Sequence, residues 1–121
     1  MYGCTTETPE LKLNSSNGVV NLKNQVAGNW NQVCLITPYT SAKLAANITG
    51  LDESKINDTG IEYLDTIYLL AFIGASNTDI YTVKRSDTVF VYSESKCFNR
   101  ENSDLVTLNK SLKSDAASGA A

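Results

Sequence analysis

The stretch Thr66-Ile67-Tyr68-Leu69-Leu70-Ala71-Phe72-Ile73 decides the fold of this chain. It is apolar and β-prone throughout, it is strand-sized, and Gly74-Ala75-Ser76-Asn77-Thr78 behind it reads as a loop. In a strand, Ile67, Leu69, Ala71 and Ile73 share one face, while Tyr68, Leu70 and Phe72 share the other. With both faces apolar, the segment is predicted to be a central strand.

Working outward, Trp30 to Thr37 reads as a second strand, ended by Pro38. Ile80 to Lys84 and Val89 to Tyr92 read as two more, separated by the turn Arg85-Ser86-Asp87. Sequential strands with short loops predict an antiparallel meander. Between the first two strands, Thr40 or Ser41 caps a helix from Ala42 to Asn47 or Ile48, and Gly50 stops it. Leu44, Ala45, Ile48 and Leu51 recur at helical spacing and should face the sheet. A second helical turn begins at Asp52. Leu105 to Leu112 fits either a strand or a helix. The fold class expected is therefore α+β: an antiparallel sheet of four to five strands with one main helix packed on one face.

At 121 residues the chain suggests one domain. Residues 1–18 are polar, contain Pro9 and read as a tether that contributes little to folding. Within them the turn signal Asn17-Gly18 allows a hairpin between Leu11-Lys12-Leu13 and Val20 to Lys23. Residues 19–113 form the globular domain. Residues 114–121 are small and polar and read as a flexible tail.

Composition excludes several functions. The net charge is −3, with 10 basic against 13 acidic residues, so no basic stripe exists for nucleic acid. There is no histidine, which removes Ser-His-Asp and Cys-His catalysis and imidazole metal sites. The three cysteines form no C-x-x-C pair, so no metal or other cofactor is expected. No apolar run reaches the roughly 20 residues that span a bilayer as a helix.

Two constellations remain. Asp52, Glu53, Asp58, Glu62 and Asp65 lie between the helix and the central strand. They read first as solvated and helix-capping carboxylates, and second as a carboxylate pair for hydrolysis. The aromatic residues read first as strand-face packing and second as a binding face, because tyrosine offers contact area with a polar tip. Trp30, Tyr39, Tyr81 and Tyr92 are the candidates for such a face.

Two segments carry a resemblance. Gly3-Cys4, followed by the polar run Thr5-Thr6-Glu7-Thr8-Pro9-Glu10, resembles the end of a bacterial lipoprotein signal. Trp30-x-x-Val33-Cys34-x-x-x-Pro38-Tyr39, with the later Cys97, resembles small bacterial envelope lipoproteins, some of prophage type. The resemblance implies a lipid on Cys4, a native start upstream of Met1 and a periplasm-facing domain. It carries over no catalytic residue. With Cys4 set aside in an oxidising compartment, Cys34 and Cys97 have one pairing. In a cytosolic protein they would be free thiols, and a reactive thiol would need a cationic neighbour such as Lys96 or Arg100 beside Cys97. The function expected is non-enzymatic: an envelope lipoprotein domain that binds another protein, with an immunity or inhibitor protein as one case. Acidity suits an inhibitor of a basic lytic enzyme. The alternatives are a small hydrolase using a carboxylate pair, or a structural envelope protein with no ligand.

Overall fold

The computed structural model describes residues 8–108. Cys4 and the tail at 114–121 lie outside the described residues. In chain order the elements are β1 (Val19–Asn21), α1 (Leu22–Gln25), β2 (Trp30–Ile36), α2 (Ala42–Thr49), α3 (Glu53–Asn57), β3 (Ile67–Gly74), β4 (Thr78–Lys84), β5 (Lys96–Asn99) and β6 (Asp104–Val106), with a 3₁₀ turn at Arg100–Asn102. A four-stranded antiparallel sheet has the order β4-β3-β2-β5, and β1 pairs with β6 in a two-stranded ribbon. The chain is α+β and mostly sheet.

β3 divides its side chains as its alternation requires. Leu69 and Ala71 join Cys34, Ile36, Ala42, Ala45, Ile56 and Ile61 in one core, under α2 and α3. Tyr68, Leu70 and Phe72 join Val33, Leu35, Val83, Phe90 and the ribbon's Val20 and Leu105 in the other. The helices thus cover one face of the sheet, and the β1–β6 ribbon with α1 covers the other. The single main helix expected is replaced by α2 with the shorter α3 beside it. Ser41 caps α2 by accepting the Leu44 N–H, and Gly50 ends it at φ 77°. Ala42 and Ala45 point inward, whereas Leu44, expected in the core, is 50% exposed. It stands one position, about 100°, off the buried row.

Three further expectations change. Val89 to Tyr92 forms no strand of the main sheet; β3 takes β2 as its second neighbour, and Phe90 bridges Thr107 at the edge of the ribbon. Asp104–Val106 makes the start of the ambiguous Leu105 to Leu112 segment a strand, and residues 109–112 lie outside the described residues. The hairpin around Asn17-Gly18 exists only as a tight turn, with positive φ at both residues and Ser16 bonded to Val19. Its expected arms do not pair. Asn21 accepts the Asn24 N–H and turns 22–25 into α1.

Leu11 and Leu13 instead pack against the ribbon-side core. The Pro9 carbonyl accepts the Thr82 N–H at 2.9 Å, and the Leu11 N–H donates to the Thr82 carbonyl at 2.8 Å. Residues 9–13, read from sequence as tether, therefore lie along the outer edge of β4. Covering an edge strand in this way satisfies backbone groups that would otherwise face solvent.

Cys34 and Cys97 are disulfide-bonded. They stand directly opposite one another across β2 and β5, with Cα atoms 3.9 Å apart.

Candidate functional site

The four aromatic candidates fall in three places. Trp30 and Tyr81 come together, with Phe72 between them. A β-bulge makes this possible. Trp30 pairs with Gly74 but Gln32 with Ile73, so the register slips by one residue. Without the slip, even-numbered Trp30 would share the helix-side face of Cys34 and Ile36. With it, Trp30 lies edge-on to Phe72 at 5.0 Å between ring centroids, and Phe72 lies edge-on to Tyr81 at 5.8 Å. The Trp30 indole N–H donates to the Val26 carbonyl at 2.9 Å. Arg100 stacks on the indole at 4.6 Å and donates to the Gly28 and Trp30 carbonyls, each at 2.8 Å. This fixes the loop at 26–29.

That loop and the turn at 74–77 wall a cleft of about 340 Å³, with the aromatic rings as its floor and Asn29, Asn77 and Asp79 at its rim. The walls meet at Gly74. A Cβ there would stand 3.0 Å from the Asn29 carbonyl oxygen, closer than ordinary packing allows, so glycine permits this approach. Trp30 itself is only 5% exposed, and Tyr81 is half-buried.

Tyr92 lies elsewhere. Its hydroxyl accepts the Val106 N–H at 3.1 Å, its ring packs edge-on to Phe98, and Lys96 sits over both rings. Its hydroxyl and ring are thus both used in holding the segment at 90–92 to β5 and β6.

Tyr39 stands at the end of the sheet where β2 leads into α2. It is 63% exposed, and its backbone is left-handed at φ 65°. Its N–H donates to the Ile61 carbonyl at 3.0 Å. The flanking turn is fixed by a hydroxyl cluster in which Thr40 and Ser95 oxygens lie 2.9 Å apart and Thr37 Oγ1 lies within reach of both. Tyr63, exposed at 76%, and exposed Leu64 follow Ile61 and Glu62 directly, and exposed Leu44 is on the first turn of α2. Tyr39 and Tyr63 are thus exposed on two segments joined by the Tyr39–Ile61 bond, and the Glu62–Ala42 bond joins the second of these to the start of α2, where Leu44 is exposed. Tyr63 belonged to the aromatic set in the sequence, but nothing there separated it from the packed aromatics.

Of the carboxylates, Glu62 is engaged: its Oε1 accepts the Ala42 N–H at 2.8 Å, at the start of α2. Asp52 is the N-cap residue of α3 and makes no side-chain cap bond. Among the described residues no three cysteine or carboxylate side chains gather as a metal site, and no helix is long and apolar enough to cross a membrane.

No family model, curated protein or solved structure matches this chain.

Proposed function

We propose that this chain is a non-enzymatic, lipid-anchored domain of the bacterial envelope that faces the periplasm and binds another protein through the Tyr39–Tyr63 face. The observation that carries the reading is Tyr39. A bulky side chain in a left-handed backbone costs on the order of 1 kcal/mol, and at 63% exposure little burial offsets it. Local folding energy does not account for a tyrosine there. Presentation of the ring to a partner does, since tyrosine is enriched among the residues that dominate interface energetics. The Cys34–Cys97 disulfide supports an oxidising compartment. The net charge of −3 suits a basic partner, as an immunity protein or an inhibitor of a lytic enzyme would require.

The test is capture from the native host with the protein expressed from its own locus. Wild type should fractionate with membranes and retain a specific partner. Tyr39→Gly combined with Tyr63→Ser should lose the partner while remaining folded, and Cys4→Ser should move the protein to the soluble periplasm. Partner recovery unchanged by the double substitution would overturn the assigned face. A wild-type protein in the cytosol would overturn the envelope reading.

A further inference from the structure

Four of the aromatic rings packed about the sheet carry a cation, whereas Phe72 and Phe90 do not. Arg100 lies over Trp30 at 4.6 Å, Arg85 over Tyr68 at 5.6 Å, and Lys96 over Tyr92 and Phe98 at 5.4 and 5.3 Å. Among the described residues Tyr81 is the tyrosine of the sheet without such a partner. Two residues before it on β4, Asp79 projects from the same face: Asp79 is opposite Phe72 and Tyr81 opposite Leu70. Asp79 is exposed, and it makes no ion pair or side-chain hydrogen bond among the described residues. Lys55 lines, together with Asp58, Asp79 and Tyr81, an adjoining groove along β4, and among the described residues it forms no ion pair with Asp79. The cleft of about 340 Å³ is thus lined by half-buried Tyr81, by Asp79, whose carboxylate has no ion pair among the described residues, and by Asn29 and Asn77.

We infer that this cleft, at the opposite end of β2 from Tyr39, receives an arginine side chain of a bound protein. Alternate residues on a strand stand roughly 7 Å apart, a spacing that a single arginine spans with its stem over the ring and its guanidinium at the carboxylate. Guanidinium offers five donors in a planar fork, so it can bind the Asp79 carboxylate through two of them and the amide oxygens of Asn29 and Asn77 through others. Its face also stacks on an aromatic ring, which a compact ammonium does less well. The source of the arginine rests on the protein-binding reading above, and an acidic chain is what a basic partner would be steered towards.

The cleft can be tested apart from any partner. The full-length oxidised protein is titrated with N-acetyl-arginine amide and, in parallel, with its neutral isostere N-acetyl-citrulline amide. The amide signals of Asn77, Asp79 and Tyr81 and the indole N–H of Trp30 are followed by NMR. The arginine probe should give saturable shifts confined to these signals, at least about tenfold tighter than the citrulline probe, as expected for one charge-assisted contact. Asp79→Asn should remove that difference and leave the melting temperature unchanged, and Tyr81→Leu should weaken the arginine probe severalfold. Equal response to both probes, an unaltered Asp79→Asn titration, or the lack of any saturable shift would each overturn the inference. Saturable arginine binding with no partner captured in the native host would instead count against the protein-binding reading alone.

Discussion

Tyr39 offers a test that isolates backbone strain from side-chain chemistry. At most exposed positions alanine is more stable than glycine, because glycine loses more chain entropy on folding. At φ 65° the order should reverse. Tyr39→Gly should exceed Tyr39→Ala in unfolding free energy by about 1 kcal/mol, measured by urea denaturation. If alanine proves the more stable, the left-handed backbone is not held in solution, and the case for a presented ring falls with it. Leu70 and Leu44 give the complementary pair. Leu70 is fully buried in the ribbon-side core, so Leu70→Ala should cost about 2–5 kcal/mol. Leu44→Ala should change stability by no more than about 0.5 kcal/mol, because that side chain is half exposed. At this scale the sequence was legible where alternation was unbroken. The faces of β3 follow from parity alone. Leu44 was misplaced because helical spacing sets which residues share a stripe, and two alanines beside it bring the helix close without it.

Among the elements, the strap at residues 9–13 departs furthest from the sequence reading. Its polar composition and Pro9 read as a tether, and that reading passed over the two leucines at alternate positions. Alternation shows that Leu11 and Leu13 share a face, but it does not name the element they pack on. The strap is joined to Thr82 by two backbone hydrogen bonds and carries two partly buried leucines. Removing residues 1–13 should therefore lower stability by roughly 2 kcal/mol or more, with Leu11→Ser/Leu13→Ser giving much of the same loss. Sequence alone predicted no change for such a truncation, so thermal melts of the two proteins decide between the readings. Baring β4 should also promote concentration-dependent association, visible by sedimentation. The same limit hid the Trp30–Tyr81 cleft. A single-residue bulge between Trp30 and Gln32 exchanges the faces of β2, and nothing in the local sequence announces it. The Asp79-x-Tyr81 pair was the one available signal, once β4 was taken back to Thr78.

For the whole molecule, the disulfide joins β2, an interior strand, to β5, an edge strand of four residues. The loop it closes spans 63 positions and contains α2, α3, β3 and β4. Chain-entropy arithmetic for a loop of this size gives about 4 kcal/mol, a large share of the roughly 5–15 kcal/mol that stabilises a typical domain. Cys34→Ala/Cys97→Ala should accordingly lower the urea midpoint steeply. Loss should appear first at β5, whose only neighbour in the sheet is β2. Hydrogen exchange at the β5 amides and at the β2 amides bonded to them should rise before exchange along the β3–β4 hairpin. The chain has three cysteines, and two are bonded, which leaves Cys4. Protein oxidised during expression and then denatured without reductant should therefore titrate as one thiol when unlipidated and as none when Cys4 carries a lipid through its sulfur. Three thiols would mean that the bond does not form, and with it would go the support for an oxidising compartment.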